Sequence, residues 1–124
     1  MISKVLTSAT YGIDAYIIEV ETHVEKAIPG FIIVGLPDNA VKESRERVSA
    51  AIKNSGYKFP IQKITVNLAP ADIRKEGSSF DLPIAIGILT ATEIVNSSIL
   101  EETILLGELS LDGVLRPVKG ALPI

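Results

Sequence analysis

The residues best suited to chemistry lie in one polar loop between a predicted strand that ends near Asn67 and an apolar helix that begins near Leu82. The loop places Gly77, Ser78 and Ser79 directly before that helix. A helix N-terminus carries unpaired N–H groups and partial positive charge, so it can hold an anion or a nucleophile. The glycine and the two hydroxyls therefore predict either an anion-binding turn or an ordinary helix cap.

Two adjacent cations, Arg74 and Lys75, lie in the same loop and could contact a phosphate backbone. Asp72 and Glu76 flank them, so the local charge nearly cancels. The two interpretations are a loop that binds DNA or another anion and a loop that is solvated or paired with itself.

Ser79 could be a nucleophile only with a base within hydrogen-bonding reach. The single histidine, His23, ends a predicted strand and is expected to face solvent. Lys119 lies in a stretch that looks exposed, whereas a catalytic lysine is typically buried. Proteolysis is therefore disfavoured, and no residue is assigned a catalytic role.

Composition narrows the function classes further. The chain of 124 residues is long enough for one domain, 1–124, and its 47% hydrophobic content with only 5% aromatic residues predicts an aliphatic core. Without cysteine and with one histidine, no thiolate or histidine-rich metal site is expected. A net charge of −3 argues against tight DNA binding by the domain alone, although a local basic patch or an oligomeric ring could still bind DNA. The sequence contains no P-loop motif, no secretion signal and no apolar run long enough to cross a membrane, and we expect a cytoplasmic protein.

The elements that position the loop follow from hydrophobic periodicity. Asp38 is expected to cap a first helix, and Asp81 or a preceding serine a second. The apolar run 31–36 is expected to be a strand buried on both faces. The other strands are predicted at 4–9, 13–23, 63–68, 103–111 and 114–118. This order predicts an α/β, two-layer sandwich with a mixed sheet and two main helices. The pattern continues to the last residues, so we expect a domain excised from a longer chain.

Several segments carry a family pattern in order. They are 31–48, which includes Val-Gly-Leu-Pro and Ala-Val-Lys-Glu-Ser, then 64–72, 75–77, 80–89 and 106–120. Together they resemble the magnesium-chelatase-like AAA+ ATPases known as YifB or ComM, over nearly the whole chain. The resemblance implies an N-terminal domain, followed in the parent protein by an AAA+ module that binds ATP and Mg²⁺, with no cofactor in this segment.

The resemblance also implies a fold like the second domain of ribosomal protein S5 (S5 domain 2-like), which is similar to the Lon protease domain. The segment from Lys75 to Ser79 resembles the Lon nucleophile turn and places Ser79 at the position of the serine. The position of the Lon lysine falls on Leu122, so the resemblance implies a scaffold reused for binding.

By resemblance, we expect a non-catalytic domain that assists assembly of a homo-oligomeric, hexameric ring or contacts DNA during ATP-driven branch migration, with no membrane partner. The expected contacts are Arg74 and Lys75, supported by Gly77, Ser78 and Ser79. The alternatives are a subunit of a metal chelatase motor and a Lon-like serine hydrolase centred on Ser79.

Overall fold

The computed structural model describes residues 1–11, 14–70, 75 and 78–116. Six strands, two helices and one 3₁₀ turn make up this part of the chain. They are β1 (Ile2–Tyr11), β2 (Asp14–Glu25), β3 (Gly30–Val34), α1 (Asp38–Asn54), β4 (Lys63–Ala69), α2 (Asp81–Ala91), the 3₁₀ turn (Ser97–Ile99), β5 (Glu108–Leu109) and β6 (Leu115–Arg116).

Four strands form one mixed sheet in the order β1-β2-β4-β3. The β1–β2 and β2–β4 pairs are antiparallel, whereas β3 and β4 run parallel and are connected through α1. The predicted α/β class, with a mixed sheet and two helices, is confirmed. The likeness to ribosomal protein S5 and the Lon domain stays a prediction.

Alternation along the strands separates an inner face from an outer face, because successive side chains in a strand point to opposite sides. The inner face packs against α1 and α2 and forms the core. As predicted, this core is almost entirely aliphatic, and Phe80 at the start of α2 is its one large aromatic member among the described residues. Its fully buried side chains include Val5, Ile18, Val20, Val48, Ile64, Val66, Leu68, Ile84 and Ile88.

The outer face carries a row of polar side chains on β2. Glu19, His23 and Glu25 are exposed there, and Glu21 is half-buried. Glu21 accepts a hydrogen bond from the Asn67 side chain of β4 at 3.0 Å. Lysines of the neighbouring strands lie beside these glutamates, since Lys4 is opposite Glu21 and Lys63 is 4.0 Å from Glu25, and the sheet separates this face from both helices.

The prediction that segment 31–36 is buried on both faces is wrong. Ile33 is buried, but Ile32 and Val34 remain 45% and 49% exposed. The reason is topological: β3 lies at the edge of the sheet, and only its inner face is covered. The Phe31 carbonyl on this edge accepts a hydrogen bond from Arg45 of α1 at 3.1 Å.

Both helix-cap predictions are also wrong. Pro37 precedes α1 and Phe80 precedes α2, and neither residue provides a side-chain cap. Asp38 and Asp81 instead occupy the first turns, where a carboxylate still interacts favourably with the helix dipole. The Asp81 side chain is used for tertiary contacts, described below.

The long strand predicted at 103–111 is shorter than expected. Ile104 forms an isolated parallel bridge with Leu6, and only Glu108 and Leu109 form a strand. The segment between them bonds to the start of α2 through Gly107, which removes it from the sheet. The predicted antiparallel return after Asp112-Gly113 is confirmed as β6. The predicted strand extends to residue 118, and residues 117–118 lie outside the described part of the chain.

The polar run at 96–98 predicts the end of the second helix, but the helix ends earlier. It stops at Ala91, and Glu93 adopts a positive φ of 64°. Asn96 belongs to the following 3₁₀ turn, where its side chain accepts a hydrogen bond from the Ser98 amide. Among the described residues, no helix has the length and apolar character that crossing a membrane requires.

Candidate functional site at the entrance to the second helix

The structure describes part of the predicted site. Ser78 and Ser79 are half-buried immediately before α2, and Lys75 is buried. Arg74 and Gly77 lie outside the described residues, as do Asp72 and Glu76.

The main-chain donors of the first turn of α2 are used within the protein. The amides of Asp81, Leu82 and Ile84 each donate to a main-chain carbonyl, and Pro83 has no N–H. The acceptors are the carbonyl oxygens of Ser78 at 3.2 Å, Gly107 at 3.0 Å and Phe80 at 3.1 Å. These first-turn amides are therefore not available to an anion without breaking a hydrogen bond.

Gly107 forms two main-chain hydrogen bonds with the entrance to α2, one as acceptor and one as donor. Its carbonyl accepts from the Leu82 amide, and its own amide donates to the Ser79 carbonyl at 2.8 Å. A Cβ at position 107 would lie 2.9 Å from a terminal methyl carbon of the exposed Leu115, which is free to shift, and 3.4 Å from the Leu82 side chain at the helix entrance. The segment before β5 thus pairs with the helix entrance in the way that an added strand would.

The centre of the site is the carboxylate of Asp81, which is 1% exposed. It accepts hydrogen bonds from α1 and from the start of β5, and it meets Arg47 in a bidentate ion pair. The donors are Arg47 Nε at 2.6 Å and Nη2 at 3.2 Å, the Ser44 hydroxyl at 3.0 Å and the Leu109 amide at 3.2 Å. A buried carboxylate requires such compensation because its desolvation costs several kcal/mol.

The electrostatics of Arg47 follow from this geometry. Hydrogen bonding to Asp81 raises the pKa of Arg47, and this outweighs the opposing effect of partial burial. Glu43, one turn earlier on α1, forms an i,i+4 ion pair with Arg47 at 3.7 Å. The guanidinium therefore stays charged, and its main role is to hold α1 against the entrance of α2.

The sequence contained a partial signal for this network. Ser44 and Arg47 are three residues apart on α1, a spacing that places both on one side of a helix. Ser44 lies at helical spacing with the apolar residues Val41 and Val48, and a polar residue in such an apolar stripe needs a partner. The partner could not be found from sequence, because Asp81 at a helix start has an ordinary explanation as a cap.

Lys75 is also engaged. Its side chain donates to the Pro70 carbonyl at 2.6 Å, and the residue is only 3% exposed. In this conformation the ammonium group faces a main-chain oxygen of its own loop. Contact with a phosphate would require the ammonium group to leave this carbonyl, and the DNA-binding role of Lys75 stays a prediction.

The single histidine of the chain lies on the face of the sheet away from the helices, so it is not placed to act as a base for Ser79. His23 lies on the outer face and its Nε2 is 3.4 Å from a carboxylate oxygen of Glu25. Leu122 and Lys119, the other positions weighed for a base, lie outside the described residues. The adjacent carboxylates Glu101 and Glu102 are both exposed, as expected for solvated surface residues rather than for an acid–base pair.

The metal-ligating side chains of the described residues do not form a metal site. Within the described ranges, His, Asp and Glu side chains nowhere gather in a group of three that could hold an ion. The Asp81 carboxylate is neutralised by Arg47, so it does not suit a cation. These residues do not fit the Mg²⁺ that the resemblance implies for the parent ATPase.

The fold and the site together define a two-layer α/β domain in which an arginine–aspartate pair seals the entrance to the second helix. The family described as subunit ChlI of Mg-chelatase matches residues 20–124. The chain belongs to this magnesium-chelatase-like family, which includes the YifB and ComM proteins.

The relatives agree with this assignment. The uncharacterized protein YifB of Escherichia coli K12 is 53% identical over 121 residues, which is 98% of this chain and 24% of the relative. The competence protein ComM of Haemophilus influenzae is 47% identical over 119 residues, 96% of this chain and 23% of the relative. An uncharacterized protein of Mycobacterium tuberculosis H37Rv is 43% identical over 122 residues, with 98% and 24% covered. The chain spans about a quarter of the length of these relatives.

Proposed function

We propose that this chain is a non-catalytic domain of a YifB/ComM-type ATPase that assists assembly of the ATPase ring or contacts DNA. The observation that carries the proposal is the engagement of the α2 entrance by the protein itself. The first-turn amides donate to main-chain carbonyls, and the Asp81 carboxylate is held by Arg47 and Ser44. A site built for turnover would keep such groups available to a substrate.

The hydrolase alternative receives little support from this geometry. Ser79 needs a general base, and the only histidine of the chain is on the opposite face of the sheet. The carboxylate nearest in sequence, Asp81, is committed to an arginine and cannot accept a proton without losing that pair. The proposal therefore assigns Ser78 and Ser79 to the structure of the helix entrance.

ATP and Mg²⁺ are proposed to bind elsewhere in the parent protein. The sequence of this chain has no Gly-x-x-x-x-Gly-Lys-Ser/Thr motif, whose backbone amides and lysine would hold the phosphates. The relatives are about four times as long, which leaves room for an AAA+ module. The chelatase-motor alternative is supported by the description of the matched family. In that alternative too, ATP and Mg²⁺ would bind outside this chain.

The hydrolase alternative is tested in the full-length protein with Ser79→Ala and, as a matched control, Ser78→Ala. We expect both variants to keep the ATPase rate of the parent, and we expect Ser79 to stay unlabelled by a fluorophosphonate probe between pH 6 and pH 9. Labelling that disappears only in Ser79→Ala would contradict the non-catalytic assignment.

The DNA part of the proposal is tested by Arg74→Glu in the full-length protein. We expect weaker DNA binding and a shallower salt dependence, because each lost phosphate contact lowers the slope of log K against log [salt] by about 0.9 on duplex DNA. Lys26→Glu, at an exposed lysine in the turn after β2, provides the matched change of charge. Lys75 is tested separately with Lys75→Gln, since its burial makes a loss of folding the first effect to exclude by circular dichroism.

A further inference from the structure

A groove between α1 and the edge strand β3 carries a second set of charged groups. Its volume is about 600 Å³, and we name it the α1 groove. It is lined by Phe31, Lys42, Arg45, Glu46, Ser49 and Lys53, among others. We propose that the α1 groove binds the phosphate backbone of a nucleic acid. This inference rests on the DNA-contact part of the proposed function and names the surface responsible.

The charge of the α1 groove is opposite to that of the chain. Three cations and one carboxylate line it, whereas the whole chain has a net charge of −3. Lys42 and Lys53 are exposed, and neither forms an ion pair within 4.0 Å with a carboxylate of the described residues. Lys53 Nζ lies 5.8 Å from the centroid of the Phe59 ring, a contact that leaves its charge unneutralised. Glu43, the other acidic residue nearby on α1, is directed at Arg47 instead. A local excess of unpaired positive charge is the electrostatic footprint of a polyanion site.

The cations also lie in a line. Lys42, Arg45, Ser49 and Lys53 follow the spacing i, i+3, i+7 and i+11, which places them along one stripe of the helix. At a rise of 1.5 Å per residue, Lys42 and Lys53 are separated by about 16 Å along the axis, close to the rise of about five nucleotide steps along the axis of a duplex. The small side chains of Ser49 and Ala50 between them allow a backbone to approach the helix closely.

The edge of the groove disfavours the main competing ligand, a peptide that adds as a strand to β3. An added strand needs the outward carbonyls of the edge, and Arg45 already donates to the Phe31 carbonyl at 3.1 Å. Binding of a phosphate requires only the positive charges of the α1 groove and not the carbonyls of the strand edge. On the outer face of the sheet, Glu25 meets Lys63 at 4.0 Å and Glu21 lies opposite Lys4, so that face offers no comparable excess of positive charge.

The test uses the full-length protein and the double variant Lys42→Glu, Lys53→Glu. The matched control is Lys4→Glu, Lys26→Glu, which makes the same change of charge at exposed lysines outside the groove. Binding to a single-stranded and a duplex 30-mer is measured at several salt concentrations. We expect the groove variant to lose at least tenfold in affinity and its salt slope to fall by about 1.4 on the single strand and about 1.8 on the duplex. We expect the control to change less than threefold.

The outcomes separate this inference from the proposed function. Equal losses in both double variants, or no loss in the groove variant, would overturn the α1 groove as the site. If the groove variant binds DNA normally but no longer assembles in sedimentation experiments, the groove contacts a protein partner and the inference is also wrong.

If Arg74→Glu alone weakens DNA binding, the proposed function stands and the α1 groove is not the site. If deletion of the whole domain leaves DNA binding and assembly unchanged, the proposed function itself is wrong. The milder Lys42→Gln, Lys53→Gln variant repeats the test should the glutamates reduce folding.

Discussion

The entrance to α2 and the α1 groove use polar residues in opposite ways. At the entrance, the buried Asp81 meets Arg47 and Ser44, and the first-turn amides bond to carbonyls. In the α1 groove, Lys42 and Lys53 remain exposed and form no ion pair within 4.0 Å with a described carboxylate, although Lys53 Nζ lies over the Phe59 ring. The same helix, α1, contributes to both regions, with Arg47 turned inward and Arg45 toward the edge strand.

This difference shows why a cluster of polar residues in a sequence is a poor guide to a working site. The groups at the α2 entrance attract attention because serines, an aspartate and cations occur together at a helix start. Among the described residues of this cluster, Asp81 connects α1, α2 and β5, and Lys75 donates to the Pro70 carbonyl. The residues of the α1 groove are interspersed with glutamates and look like an ordinary solvated helix face, yet they retain charge that a ligand could use.

The largest effect is expected from Asp81→Ala. The substitution leaves Arg47, whose side chain is 22% exposed, without its main partner, and it also removes the acceptor of the Ser44 hydroxyl and the Leu109 amide. Removing one member of a buried ion pair typically costs 3–5 kcal/mol, so we expect a loss of about 3 kcal/mol in the free energy of unfolding by urea. Asp38→Ala, also in the first turn of a helix, should cost no more than about 0.5 kcal/mol. Similar losses in the two variants would show that the entrance is not held by Asp81.

A smaller loss is expected from Gly87→Ala, where α2 approaches the sheet most closely. A Cβ at this position would lie 2.6 Å from the Thr22 hydroxyl oxygen, and the Gly87 carbonyl accepts from Ser3 at 2.7 Å. Overpacking costs about 1–3 kcal/mol, and the better helix propensity of alanine returns about 1 kcal/mol. We expect a net loss of about 1 kcal/mol in urea unfolding.

Two further variants check the reason for the Gly87 effect. Gly30→Ala is the control, since a Cβ there meets no atom within 4 Å. Adding Thr22→Ala to Gly87→Ala should recover part of the loss caused by the clash. A Gly87→Ala protein as stable as the parent would mean that α2 is not packed tightly on β2.

A gain in stability is expected from Thr7→Val. The Thr7 hydroxyl is fully buried and has no hydrogen-bond partner among the described residues. An unsatisfied buried hydroxyl costs about 1–3 kcal/mol, and we expect valine to raise the free energy of unfolding by up to about 1 kcal/mol. Ser3→Ala is the matched change on the same face of β1, and it should lower stability because the Ser3 hydroxyl does donate to Gly87. A loss in Thr7→Val would indicate a partner for that hydroxyl.

The smallest effect concerns the β5–β6 turn beside the α2 entrance. A hydrogen bond from the Ser110 hydroxyl lowers the pKa of Asp112 below its ordinary value. The ionised form is thus favoured in the folded protein, and the stabilising contribution is present above the ordinary aspartate pKa and lost as the pH falls through the lowered one. We expect Ser110→Ala to raise the pKa of Asp112 in an NMR titration. An unchanged titration would remove Ser110 as the cause.

The fold was predictable where periodicity is strong. The two helices, the long antiparallel strands, the aliphatic core and the Asp112-Gly113 turn follow from local patterns. The edge position of β3 was not predictable, because a run such as Phe31-Ile-Ile-Val is equally apolar in a central strand. The shortened 103–111 strand depends on Gly107 pairing with the entrance of α2, a contact between residues about 25 positions apart.

The site was predictable only in its location. Ser78 and Ser79 do lie at the α2 entrance, but the partners of Asp81 come from α1 and β5, and no local pattern identifies them. The burial of Lys75 was equally hidden, since a lysine in a charged loop is ordinarily exposed.

The most direct test of the account places a photo-cross-linking amino acid in the full-length protein, either at Glu46 on the rim of the α1 groove or at Ser79 at the α2 entrance. Each protein is irradiated with a radiolabelled oligonucleotide, and the fraction of cross-linked protein is measured as the salt concentration is raised. The account predicts cross-linking from Glu46 that falls with salt, and cross-linking from Ser79 no stronger than from a distant exposed position such as Glu101. Strong cross-linking from Ser79 with none from Glu46 would contradict it.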